Sequence, residues 1–494
     1  MPESILHNCR GSYLAVRRSL PWLDATYRPD DTPAFARVAL PVEHETIKAA
    51  VLRPNSAGRI ERMRAESGPL LWRWIPTESG PLSGLEPAFR NLAECKLPLA
   101  VRQTDLTFHE LELFALTHPQ LTVILESGPR KLLYHIQHIE SKMLKCPNLH
   151  LATYNFCNWL GIERLRDKGL LKRLLFGSHA PRYSPDAAMG PVIMSALAWE
   201  EKCAIAGNNL RRLLSMPLKT TPAQKWKAGK PFNVDAHTHN ITPGNRSLFG
   251  FPTPDEDFSP ADWVANLDHL AIEQVFLIPG NALLDIDASA RKCVAPLLQH
   301  APDRFRYMTV FHPAMNETQC ARVAAELAEV ECVGLKIHPS AHKLEADHPS
   351  FAKAFQLAIA AGKAIVTHSW EISDYNQTQK MAHPGRFQKH LAAHPEATLV
   401  LGHAGGRPSA LEDVVNICRK FPKTVVDVSG DYFDNGVFEC LTGRLGAEKV
   451  MFGSDVDWVD QRCNLGPIFA SRLPDNELLK ILRNNARRVF LREE

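Results

Sequence analysis

From about residue 231 the chain alternates short β-branched apolar runs with longer segments of helical period: QVFLIPG, RYMTVFHP, CVGLKIHP, KAIVTHS, ATLVLGHAG, KTVVDVSG and KVMFGSD. With FNVDAHTH as the first, these make eight strand–helix units in about 260 residues, the number and length at which parallel strands close into a (β/α)8 TIM barrel. An open doubly wound sheet accounts for the pattern less well. No glycine-rich phosphate loop follows a strand, and the polar residues stand at the ends of many strands rather than beside one crevice. Just upstream, residues 219–230 (KTTPAQKWKAGK) lack apolar periodicity and carry four Lys and a Pro, which marks them as a linker.

The N-terminal part repeats this pattern in weaker form. RLLFGSHA (173–180) falls on KVMFGSDV (449–456), and IAGNNLRRLL (205–214) on ILRNNARRVF (481–490). The separation is 29 residues in both, from 179 to 208 and from 455 to 484. HPQLTVILESG (118–128) and KLPLAVRQT (96–104) fall in the same order on HPEATLVLGHAG (394–405) and GKAIVTHS (362–369). Four ordered matches at near-equal spacing point to two divergent copies of one unit. The expected organisation is α/β throughout: a shorter, degenerate barrel-like copy at 1–218 without a metal, a linker at 219–230 and a catalytic TIM barrel at 231–494.

Composition narrows the function. The 494 residues carry 57 Lys+Arg against 54 Asp+Glu, a formal charge of +3, so no strong field selects nucleic acid or an anionic membrane. No apolar run approaches the roughly 18 residues a membrane span requires. The 11 Cys are scattered without a CxxC pair, unlike a disulfide framework. These features lead us to expect a cytoplasmic protein acting on a small molecule, with self-association left open.

The chemistry sits at the strand ends. His237 and His239, two residues apart, face the same side of an extended strand and can share an ion. His368, His403 and Asp455 are each the first polar residue after an apolar run, and in a barrel such positions converge on one mouth. The motifs VDAHTHN, GLKIHP, VTHS, LGHAGG and FGSD, followed by NNARRVF, resemble the amidohydrolase superfamily, in particular its amidohydrolase-related branch of metal-dependent hydrolases and non-oxidative decarboxylases. The resemblance covers the C-terminal half. It implies His237, His239, His368 and Asp455 as metal ligands, with His403 beside the metal acting on substrate or water. Three imidazoles and a carboxylate suit one Zn2+ ion best, with Mn2+ or Fe2+ as alternatives. Zinc would bring water to a pKa of about 7. Asp455 would then shuttle the proton and His403 polarise the scissile carbonyl.

Around that set, Lys336, His338, Trp370, Arg407 and Asp457 are candidate substrate contacts. Lys336 also stands where binuclear superfamily members carry a carbamylated Lys. The segment around SWEISDYNQTQKMAHPGRF is longer than its counterpart in the first copy and is expected to cover bound substrate. The first copy has Gln103, Glu126 and His179 at the positions of His368, His403 and Asp455, and only His7 and Cys9 near its start. A packing role against the working barrel is expected for it, with Glu126, Ser127, Arg102, His179 and Arg182 lining a residual polar pocket. The leading function is hydrolysis of an amide, lactone or ester bond. The alternatives are decarboxylation of an aromatic or unsaturated acid and a non-catalytic scaffold.

Overall fold

A computed structural model describes residues 2–67, 70–127, 136–239, 259–373 and 376–493. The chain divides into two compact units. One comprises 13–226 with 465–467; the other comprises 1–12, 227–464 and 468–494.

The first unit holds a two-stranded ladder of β1 (Leu23–Asp24) and β2 (Glu45–Thr46) and a parallel six-stranded sheet. That sheet runs in sequence order through β3 (Lys48–Val51), β4 (Leu70–Arg73), β5 (Leu99–Arg102), β6 (Val123–Glu126), β7 (Leu149–Ala152) and β8 (Leu174–Leu175). Ala25 N–H donates to the Phe176 carbonyl (2.9 Å) and Arg28 N–H to that of Ala180 (2.9 Å), so the chain leaving β1 lies against the chain leaving β8. Ala25, Leu71, Ala100, Ile124, Ala152 and Leu175 share one buried cluster. Each comes from a different strand or its exit, the arrangement of a layer filling a curled sheet.

The N-terminal segment behaves differently from the sequence expectation. His7 and Cys9 lie on an α-helix, Pro2–Ser19, not on a first strand. The reason is periodicity: Leu6, Cys9, Tyr13 and Val16 recur at helical spacing and are fully buried. The first strand is instead supplied by Leu23–Asp24, in the stretch LDATYRP.

The second unit is an eight-stranded all-parallel sheet: β9 (Asn233–His239), β10 (Ile272–Ile278), β11 (Phe305–Val310), β12 (Cys332–Ile337), β13 (Ala364–His368), β14 (Leu399–Gly402), β15 (Thr424–Val428) and β16 (Val450–Phe452). Neighbours pair in sequence order. Asp455 N–H donates to the His237 carbonyl (2.8 Å), and His239 N–H to that of Val456, which brings the two ends together as a TIM barrel. The strands read as apolar runs because they are buried on both faces, inward on the barrel core and outward under helices. Several crossover helices begin at matching caps; the Ser259 hydroxyl accepts from Asp262 N–H, and the Asn316 side chain from Gln319 N–H.

Local bonding near the exits of β8 and β16 is alike. Ser454 donates through N–H (2.9 Å) and Oγ (2.6 Å) to the buried carboxylate of Asp235. Ser178 does the same to Asp24, through N–H at 3.2 Å and through Oγ. Asn485 Nδ2 donates to the carbonyls of Ala447 and Val450 (both 2.7 Å), and Asn209 Nδ2 to those of Leu171 and Leu174 (both 2.8 Å). Among the described residues no helix is long and apolar enough to cross a membrane.

Candidate metal centre

The carboxyl ends of β9, β12, β13, β14 and β16 bring His237, His239, Lys336, His368, His403 and Asp455 to one mouth. Ligand-type atoms of His237, His403 and Asp455 all lie within 4.8 Å of one another. The His403 ring is centred 4.8 Å from that of His237 and 4.8 Å from that of His368. His239 Nε2 lies 3.1 Å from Asp455 Oδ1. The five residues singled out at the strand ends therefore gather, with His237, His403 and Asp455 most tightly grouped. His368 stands at the edge, its Nε2 2.6 Å from Gln379 Oε1. Asp455 and His403 adopt left-handed backbone, with φ of 66° and 64°.

Hydrogen bonding fixes the imidazole tautomers. His239 Nδ1 faces the Ile278 carbonyl (3.0 Å), which can only accept, so Nδ1 carries the proton. His239 Nε2 is then a bare lone pair opposite a carboxylate oxygen. Two acceptors in contact are favourable only with a proton or a cation between them. His237 Nδ1 donates to Asp427 Oδ2 (3.0 Å), leaving its Nε2 to face inward, 3.1 Å from Lys336 Nζ. Ser429 Oγ donates to Asp427 Oδ1 (2.5 Å), so the His403 Nδ1 beside it (2.9 Å) is the donor of that pair. His239 thus turns an unprotonated nitrogen to Asp455, and His237 and His403, each with its Nδ1 proton engaged and its Nε2 unprotonated, stand close to the same carboxylate, a donor set that fits a divalent cation.

Electrostatics agree. Burial, then the nearby Lys336 charge, holds His237 below the ordinary imidazole range, and burial pushes His368 down to about 3. Both rings are neutral at pH 7 and available as ligands. Lys336, buried, is pushed down to about 8 by desolvation. Burial alone would raise the Asp427 carboxyl, but His237 and the hydrogen bonds from Ser429 and His403 N–H hold it below the usual carboxylate range.

An aromatic wall flanks the cluster. The His338 ring stacks on His368 (4.2 Å, 12°), which is parallel to Trp370 (5.5 Å, 6°). His338 Nδ1 accepts from Ala341 N–H, so that nitrogen is committed to a helix start. Arg407 lies over Trp370 at 4.7 Å and forks onto Asp431 at 3.2 and 3.0 Å. Gly406 is required there: its φ is +71°, and a Cβ would meet the Trp370 ring at 2.4 Å. Asp457 is buried two residues past Asp455.

Sequence reasoning passed over Asp427, Ser429 and Gln379. Asp427 is a carboxylate inside the apolar run TVVDV, and that interruption was the available signal. Ser429 follows two residues later on the same face. Nothing in the sequence singled out Gln379.

The amidohydrolase family model matches residues 234–492, more than half of the chain. The chain belongs to the amidohydrolase family. No curated protein matches it. Among solved structures it is similar to 5-carboxyvanillate decarboxylase from Sphingomonas paucimobilis, at 18% identity over 53% of this chain and 99% of that one, with a TM-score of 0.40. The 5-carboxyvanillate decarboxylase of Novosphingobium aromaticivorans, solved with manganese and a nitrobenzoic acid, is similar at 15% identity over 53% and 96%, TM-score 0.41. A probable 2-pyrone-4,6-dicarboxylic acid hydrolase from Acinetobacter baumannii is similar at 14% identity over 52% and 98%, TM-score 0.41.

Proposed function

We propose that the mouth of the barrel is the site of a metal-dependent hydrolase that cleaves an amide, lactone or ester bond of a small organic substrate. The observation that carries this reading is the facing of the unprotonated His239 Nε2 and the Asp455 carboxylate, with His237 and His403 close by, a contact that a cation would satisfy. His237, His239, His368 and Asp455 would hold it, His368 from the edge of the cluster, with His403 beside it and close enough to His237 and Asp455 to share in binding. Zn2+ suits three imidazoles and a carboxylate best; Mn2+ or Fe2+ would also fit. When bound, the ion supplies positive charge that polarises a substrate carbonyl and makes water acidic near neutral pH.

The chain's own groups do the rest. Asp455 accepts the water proton at a carboxylate oxygen and returns it to the leaving group. His403, whose Nδ1 proton is turned to Ser429, presents an acceptor nitrogen. In its neutral form it therefore takes a proton or binds the ion and does not donate to an oxyanion. Lys336 offers an ammonium to an anionic substrate group. His338, Trp370, Arg407 and Asp457 would set substrate shape, and the segment 369–387, which carries Gln379 and of which 374 and 375 lie outside the described residues, would cover the bound molecule.

A second reading, decarboxylation of an aromatic or unsaturated acid, is favoured by the parallel rings of His338, His368 and Trp370 beside the cations Lys336 and Arg407. That wall suits a planar anion. The test uses the full chain loaded with Zn2+ or Mn2+ and offered lactones, amides and esters beside a panel of aromatic acids. Acid release without CO2 is expected. CO2 from the aromatic acids alone would replace hydrolysis by the second reading. Full turnover in His237→Ala would refute both, and a chain that retains no stoichiometric metal would favour a scaffold.

We also read the first unit as a diverged, metal-free copy of the barrel. Matching Ser–Asp and Asn–carbonyl bonds at corresponding positions support this. A reducing, cytoplasmic setting is supported by 11 unpaired cysteines, most of them buried.

A further inference from the structure

The first unit carries a polar cluster at the same end of its strands. Aligning LDATYRP on VDAHTHN through Asp24 and Asp235 puts Arg28 at the position of His239. Glu126 and His179 fall at the positions of His403 and Asp455. The buried Glu126 carboxylate accepts from Arg28 Nη2 (2.8 Å) and Arg73 Nε (3.1 Å). A guanidinium therefore stands at a ligand position, paired to the residue that replaces a metal-binding neighbour. Among the described residues this unit holds no cluster of His, Cys, Asp or Glu fit for an ion.

The cluster is incompletely satisfied. Among the described residues, Arg28 Nε and His179 Nε2 are buried without a hydrogen-bond partner. Arg102, partly exposed at the end of β5, spends only Nε among the described residues, on Asp105 (2.9 Å). Arg28 is held below the usual guanidinium range by burial; Glu126 and, more weakly, Asp31 oppose this, while Arg73 and Arg102 add to it. Another anion would relieve that crowding of cations. One wall is aromatic: His179 stacks on Tyr154 at 4.2 Å and 5°, and Tyr183 lies 5.3 Å from Tyr154.

We propose that this strand-end cluster is a metal-free receptor for the carboxylate of a small planar organic acid, gripped by Arg28 and Arg102 against the Tyr154–His179 stack. Planar guanidinium forks match a carboxylate's two oxygens, and stacked rings accept a flat body. Fixed guanidinium charge here takes the place of the positive charge that a cation would provide in the barrel.

The probe is benzoate, titrated calorimetrically into the chelator-treated full chain carrying His237→Ala, which disables the metal centre. Saturable binding is expected. Arg102→Met, at a partly exposed position paired only with the nearby Asp105 among the described residues, should keep the Tm of the parent and weaken binding about tenfold, the worth of one charge-assisted pair. Glu126→Gln, by removing the internal competitor's charge, should tighten it. No saturable binding, or binding indifferent to Arg102→Met, overturns the proposal. Equal displacement by inorganic phosphate overturns the carboxylate assignment.

Discussion

Replacing Asp427 by Asn separates the chemistry of the barrel mouth from its stability. Asp427 is buried and accepts from His237 Nδ1 (3.0 Å), from His403 N–H (3.0 Å) and from Ser429 Oγ (2.5 Å). Asn retains an oxygen for the last two donors, so the fold should lose little. Its amide nitrogen then faces His237 Nδ1 and can only donate. His237 must move its proton to Nε2, the nitrogen that faces Lys336 and the interior of the site. A protonated nitrogen cannot ligate. Loss of such an orienting partner weakens metal binding by roughly 10–100-fold, about 1.4–2.7 kcal/mol. Asp427→Ala should behave in the opposite sense. It imposes no tautomer, so metal affinity falls less, but it leaves buried donors unpaired at about 1–3 kcal/mol each. Competition with a chromophoric chelator gives the metal affinity, and calorimetry of the metal-free chain gives Tm. An Asn variant that binds metal within about twofold of the parent, well inside the range expected for an orienting partner, refutes the tautomer argument.

In the proposed metal site Gln379 would compete with the cation for His368, since its Oε1 lies 2.6 Å from His368 Nε2 and accepts that nitrogen's proton; Gln379→Ala should bind metal several-fold more tightly in the same competition assay, and weaker binding would reject the competition. Glu126 gives a pH signature. Burial raises its carboxyl, but Arg73 and Arg28 overcome this and hold it below the ordinary range, so its stabilisation is present above the unfolded pKa and is lost as pH falls through the folded one. Denaturant unfolding from pH 7 into the acid range should therefore show Glu126→Gln losing less stability than the parent; parallel curves would show that Glu126 is not ionised in the fold.

The barrel was legible, and so were the residues that converge at its mouth, because two regularities coincide. Strands buried on both faces read as continuous apolar runs, and their first polar residues all emerge at one rim. His368, His403 and Asp455 are such residues. Asp427 was not, because it lies within its strand, where rank in the run gives no hint that a carboxylate supports an imidazole 190 residues away. Gln379 reaches His368 from an irregular segment whose path no periodicity encodes. His7 and Cys9 were placed near a first strand by order along the chain alone, whereas Leu6, Cys9, Tyr13 and Val16 obey the helical repeat. Arg28, at the actual strand exit, was missed for the same reason.

The backbone at His179, His403 and Asp455 restricts what these positions can become. All three have φ between 55° and 66°, a region that Asn, Asp, His and Gly enter readily and that β-branched side chains enter only under strain. A library randomised there would return a narrow alphabet whatever activity was selected. His179 and Asp455, each the residue after an FGS triplet, both fall within it, one an imidazole and the other an acid on the same left-handed backbone.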